Sequence, residues 1–106
     1  MPEELMPEQK AFVIVQIAIN DRDKYHQYET ADHLQIFDRF GGKVVGIDED
    51  VDIIEGGWPF TRTVLIEFPS KRQARSWYES DEYQAVVGLR HSSTTSNLVI
   101  AAGYPG

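Results

Sequence analysis

Arg62 and the residues around it carry the first chemical signal in the sequence. Trp58 and Arg62 flank a turn at Pro59, with Glu55 on its far side. If the two flanking strands pair directly across that turn, Glu55 and Arg62 form a charge-assisted hydrogen bond, a structural role. The same guanidinium is a planar fork of donors that matches a carboxylate or enolate bidentately, with Trp58 as a cover over the bound group. Residue types alone leave both roles open.

The three histidines are His26, His33 and His91. His26 and His33 stand two helical turns apart, about 10 Å along a helix axis, too far to share one metal ion. No His-x-x-x-His pair, carboxylate triad or Cys-x-x-Cys is present, so no metal site is expected. If the protein is an enzyme, His91 and His33 are the first candidates for a general base, because imidazole titrates near neutrality unaided. Glu67, within an otherwise apolar strand, is the third, since a partly buried carboxylate can have its pKa raised towards neutrality. His91 also has a purely structural reading: with Arg90 it closes a helix, where cations complement the dipole.

Tyr25, Tyr28, Trp77, Tyr78 and Tyr83 are amphipathic aromatics, and each buried hydroxyl or indole N–H needs a partner. Singly, each fits a satisfied core or interface position. Together they can line a pocket between helices and sheet, a hydroxyl or indole donating to a ligand carbonyl. The candidate ligand-binding set is therefore Tyr25, Tyr28, Trp58, Arg62, Trp77, Tyr78 and Arg90. Gly41-Gly42 and Gly56-Gly57 lack the spacing of a phosphate-binding loop, so no nucleotide and no other cofactor is expected. The run Ser92, Ser93, Thr94, Thr95 and Ser96 reads as a polar loop, with nothing of a nucleophile elbow about it.

These residues must be positioned by a small frame. The 106 residues fit one α+β domain over 11–106, preceded by a flexible acidic tail over 1–10 that lacks the basic and apolar regions of a secretory signal. A composition 42% hydrophobic and 11% aromatic is that of a folded protein. The net charge of −7 and the absence of a Lys/Arg cluster exclude a nucleic-acid partner. The longest apolar stretch, Ala11–Ile19, is interrupted by Gln16 and falls far short of the roughly 20 residues of a membrane helix. A soluble cytoplasmic protein without a membrane partner is the expectation. With no cysteine, thiolate ligands, disulfides and Cys nucleophiles drop out.

Apolar residues on both parities of Ala11–Ile19 predict a central strand buried on both faces. Asn20 and Asp21 can cap a helix with Tyr25, Tyr28, Leu34, Phe37 and Phe40 inward, bent around 30–32 and ended by Gly41-Gly42. Residues 43–47 and 51–55 read as one interrupted strand or a small hairpin around the acidic turn Asp48-Glu49-Asp50. Alternation over Arg62–Phe68 predicts a further strand, stopped by Pro69. Ser70 with Gln73 has the form of a capping box, and Ser80 caps a following helix with Tyr83, Val86, Val87 and Arg90 on one face. Residues 97–102 supply the last strand. The order is ferredoxin-like β-α-β-β-α-β, an antiparallel sheet with helices on one face. A second subunit is the simplest cover for the other face, which makes a homodimer the expected state.

The runs Ile54-Glu55-Gly56-Gly57-Trp58-Pro59, Ile66-Glu67-Phe68-Pro69-Ser70, Trp77-Tyr78-Glu79-Ser80 and Glu82-Tyr83-Gln84, with Arg62, Tyr25, Tyr28, Gly41-Gly42 and Arg90, form a pattern. It resembles the bacterial domain-of-unknown-function family 1330 over about residues 11–102. Asp81 stands where that family commonly has proline, and Gly56-Gly57 where one glycine is usual. The resemblance implies a dimeric α/β barrel, in a superfamily of cofactor-free oxygenases, small isomerases and ligand-binding members. The functional expectation is a small-molecule-binding homodimer, a cofactor-independent oxygenase or isomerase acting on a small acidic or carbonyl compound. The alternative is a non-catalytic ligand-binding or interaction module whose Tyr and Trp residues build core and interface.

Overall fold

A computed structural model describes residues 9–30 and 33–104, the side chains of His33 and Leu34 excepted. Most of the expected N-terminal tail therefore lies outside the described residues. The elements run β1 (Ala11–Ile19), α1 (Arg22–Thr30), α2 (His33–Arg39), β2 (Lys43–Asp48), β3 (Arg62–Phe68), α3 (Lys71–Glu79), α4 (Asp81–Ser93) and β4 (Thr94–Ala102). The strands form one antiparallel sheet in the order β2-β3-β1-β4, the split arrangement of a ferredoxin-like α+β fold. Of the bend expected near 30–32, Thr30 is the last residue of α1 and residues 31–32 lie outside the described residues.

Side-chain alternation divides the sheet into two unlike faces. Val13, Val15 and Ile17 of β1 are buried with Ile66 and Phe68 of β3 under Tyr25, Phe37, Trp77, Tyr83 and Val87 from the helices. Phe12, Ile14, Gln16 and Ala18 point the other way and are only half-buried. Leu65, Ile14 and Val99 form one row across that outer face, with Leu65 37% and Val99 54% exposed. The expectation of a β1 buried on both faces is thus corrected for the subunit by itself, because the helices pack on one side.

Local sequence explains the ends of the elements. Asp21 Oδ1 accepts from the Lys24 amide, and Ser80 Oγ from the Tyr83 amide, each meeting an orphan donor of a helix first turn. Only half of the predicted box at Ser70 forms: Ser70 Oγ accepts from the Gln73 amide, while Gln73 Nε2 donates to the Phe40 carbonyl instead. Gly41 ends α2 at φ +76, and Gly42 follows where a Cβ would stand 2.7 Å from the Phe68 ring.

Two expectations need correction. Residues 51–55 form no strand, neither continuing β2 nor pairing as a hairpin with its free outer edge. The chain turns away after β2, where Asp48 Oδ1 accepts from the Asp50 amide. The hydroxyl run after Arg90 is not a loop. Ser93 Oγ and Thr94 Oγ1 donate back to the Leu89 and Arg90 carbonyls, continuing the end of α4, and Thr94 pairs with Ile19 to start β4.

Candidate functional site

The helices do not close completely on the sheet, and a cavity of about 260 Å³ remains between them. Its floor is apolar: Val15 and Ile17 of β1, Val64 and Ile66 of β3, Val44 and Ile47 of β2 and Leu98 of β4. Its roof is aromatic and charged. Tyr25, Tyr28 and Glu29 sit three and four residues apart on α1 and so share one face. Phe37 comes from α2, Trp77 from α3, and Tyr83 and Arg90 from α4, two helical turns apart on one side.

The closed end of the cavity gathers hydrogen-bonding groups. The Tyr28 and Tyr83 hydroxyls meet at 2.7 Å, joining α1 to α4. Burial, reinforced by the Tyr83 hydroxyl, pushes the Tyr28 phenol well above the ordinary tyrosine range. Arg90 is 3% exposed, and its Nη1 donates to Ser96 Oγ at 2.7 Å. Burial opposes its charge, but the Tyr83 and Tyr28 phenol oxygens and a hydrogen bond to Tyr83 outweigh that and hold Arg90 cationic. Arg90 Nε, Trp77 Nε1 and, at the rim, Arg62 Nε are buried without a hydrogen-bond partner.

At the rim, Arg62 starts β3 opposite Ile17 and therefore projects to the helix side. Its Nη2 lies 3.0 Å from Glu29 Oε2, its Nη1 pairs with Glu49, and its Cζ stands 5.7 Å from the centre of the Tyr25 ring. Burial raises the Tyr25 phenol pKa, and Arg62 offsets part of that rise. The expected Glu55–Arg62 pair is corrected: Glu55 is exposed in the stretch between β2 and β3, and Glu29 and Glu49 take its place.

Of the residues singled out from sequence, Tyr25, Tyr28, Arg62, Trp77 and Arg90 come together around the cavity. Trp58 does not. Its indole donates to Thr63 Oγ1 at 3.2 Å, and Thr63 faces away from Arg62 because successive side chains of a strand alternate. Trp58 thus belongs to the outer side and packs edge-on against Phe60. Tyr78 packs on Trp77 and Tyr83 behind the lining. His91 is exposed and outside the cavity, its pKa lowered by burial and by Arg90. Glu67 lies beside Phe12 on the outer face, 3.5 Å from Lys10 Nζ. The side chain of His33 is outside the described residues.

Glu29 and Glu49 were not singled out from sequence. The spacing Tyr25, Tyr28, Glu29 carried a signal for the first, while the second depends on how the stretch after β2 folds back. Among the described residues no group of His, Cys, Asp and Glu is placed to hold a metal ion, and none of the helices is long and apolar enough to cross a membrane.

Sheet order, helix placement and cavity define a ferredoxin-like α+β protein. The chain belongs to DUF1330, described as a domain of unknown function, whose family model matches residues 10–104. No curated protein matches it. Among solved structures it is similar to RPA0582, a protein of unknown function from Rhodopseudomonas palustris, at 17% identity and a TM-score of 0.77, over 93% of this chain and 85% of that one. It is similar to SnoaB, described as a cofactor-independent oxygenase from Streptomyces nogalater, at 10% identity and a TM-score of 0.62, over 92% and 96% of the two chains. A third is a dimeric ferredoxin-like protein of unknown function from Thermobifida fusca, at 12% identity and a TM-score of 0.58, over 91% and 92%.

Proposed function

We propose that this chain works as a homodimer that binds a small organic compound with an acidic or carbonyl group, one molecule in the cavity of each subunit. The observation that carries this reading is Arg90: a cation almost wholly buried, lining a mainly apolar and aromatic cavity, with an N–H left unpartnered and no carboxylate paired with it among the described residues. An unpaired buried donor on a charged group is costly, and an oxygen-bearing ligand offsets that cost. At about 260 Å³ the cavity is below the usual range of drug-sized sites, which favours a small ligand. Tyr25, Tyr28, Trp77 and Arg90 are the contacts, with Arg62 at the rim. The apolar row Leu65, Ile14, Val99 supports the homodimer, as do neighbours of this fold described as dimeric.

Turnover by a cofactor-independent oxygenase or isomerase is the second reading. It is favoured by Glu29, a carboxylate at the cavity rim that can take a proton next to a carbonyl, and by SnoaB's description. Glu29 replaces His91 and Glu67 as the base in that reading, since neither lines the cavity.

The test is a thermal-shift screen of small carboxylic acids and carbonyl compounds on the wild type and on Ile47→Trp, which fills the cavity from a residue already 54% exposed. A ligand at 100 times its dissociation constant adds about 2.7 kcal/mol to stability. Hits present in the wild type and lost in Ile47→Trp support the reading. Hits that survive the block, or no hits, overturn it in favour of a non-catalytic structural module.

A further inference from the structure

The two arginines of the cavity differ in how their charge is met. Arg62 stands at the rim between two carboxylates, Glu29 and Glu49, whose side chains are 37% and 60% exposed. Arg90 stands at the closed end, 3% exposed, and among the described residues no carboxylate pairs with it. Its neighbours Ser96, Tyr28 and Tyr83 are neutral hydroxyls. The cavity therefore has an uncompensated positive charge at its depth and, with two carboxylates against one guanidinium, one negative charge in excess at its mouth.

We propose that the cavity selects monoanions: a carboxylate or enolate bound end-on at Arg90, carried on an apolar body lying against Val15, Val64 and Leu98. This rests on the cavity being the ligand site, and it assigns the anion to Arg90 rather than Arg62. A buried cation meets a counter-charge far more strongly than an exposed one does, because little solvent screens the pair. Both Nη atoms of Arg62 are held by carboxylates, which leaves only its Nε without a partner, and the side chain acts as a strut tying α1 to the chain after β2. A dianion that reaches from Arg90 to the mouth would bring its second carboxylate towards Glu29 and be repelled there. A neutral ester would leave Arg90 unpaired. Trp77 also lines the cavity, and its unpartnered Nε1 is a further donor available to a ligand oxygen.

Isothermal titration with matched probes tests this: benzoate and hexanoate, their methyl esters, and the dianions terephthalate and adipate. The expected result is that each monoanion binds about tenfold or more tightly than its ester and its dianion, the span of a charge-assisted hydrogen bond. Arg90→Gln is expected to abolish the preference for acid over ester, and Glu29→Gln to raise the affinity for the dianions. If Arg90→Gln does not fold, the wild-type probe series and Glu29→Gln still decide. Esters binding as tightly as acids overturn the monoanion proposal and leave the cavity as the site. Dianions binding as tightly as monoanions in the wild type also overturn it. If no probe binds at millimolar concentration, the proposal and the cavity reading fall together.

Discussion

Arg62 Nη2 and Glu29 Oε2 meet at 3.0 Å, an ion pair that ties the first residue of β3 to the last turn of α1 at the rim of the cavity. Glu29 is more than a third exposed, so solvent screens much of this attraction. A double-mutant cycle of Glu29→Gln and Arg62→Gln, read by urea unfolding, should give a coupling of about 0.2–1 kcal/mol. Arg62→Ala should cost more than Arg62→Gln, because the aliphatic stem is lost together with the guanidinium that stands over Tyr25.

The Tyr28–Tyr83 hydroxyl contact is shorter and deeper. Tyr28→Phe and Tyr83→Phe should be coupled by about 0.5–1.5 kcal/mol in the same kind of cycle. Additive effects would show that the two hydroxyls do not hold α1 to α4.

Alkaline pH should weaken the fold through the same tyrosines. Burial raises the Tyr28 pKa, and in lesser part that of Tyr25, above the unfolded value of about 10. The unfolded chain therefore loses these protons first as pH rises. The stabilisation is complete below about pH 10 and is lost above it, at up to about 1.4 kcal/mol per pH unit for each such group. Unfolding free energy measured from pH 8 to 11 should fall in the wild type, and less steeply in Tyr28→Phe.

On the outer face of the sheet, Val99→Lys places a charge at the β4 end of the row formed with Ile14 and Leu65. Sedimentation should show the wild type as a dimer and the variant shifted towards monomer with its circular dichroism kept. A wild-type monomer would remove the homodimer from the account.

How far the sequence discloses all this depends on the range of each cause. Alternation in β1 and β3 and the capping serines are local, and they are legible directly. Residues 51–55 have the β-branched composition of a strand, yet the chain turns away after β2 at Asp48–Asp50 and leaves the outer edge of β2 unpaired, which composition cannot reveal. The hydroxyl run at 92–96 has the composition of a loop, yet the same hydroxyls can close a helix by donating to carbonyls one turn back. For the site, Tyr25, Tyr28, Arg62, Trp77 and Arg90 stand out by residue type. The partners of Arg62 do not, because Glu29 and Glu49 are brought to it by the packing of α1 and by the chain after β2. The parity of Arg62 and Thr63 already held the information that a side chain tied to Thr63 lies away from the arginine.

The central claim is that a small molecule binds between helices and sheet, and the two tryptophans report on it from opposite faces. Trp77 Nε1 is unpartnered and belongs to a residue lining the cavity, whereas Trp58 Nε1 is held by Thr63 on the outer side. We would record the two indole N–H resonances by nuclear magnetic resonance while titrating benzoate, assigning them with Trp58→Phe. The account predicts a saturating shift of the Trp77 signal with the Trp58 signal unmoved. Saturable binding that moves Trp58 and leaves Trp77 in place would contradict it.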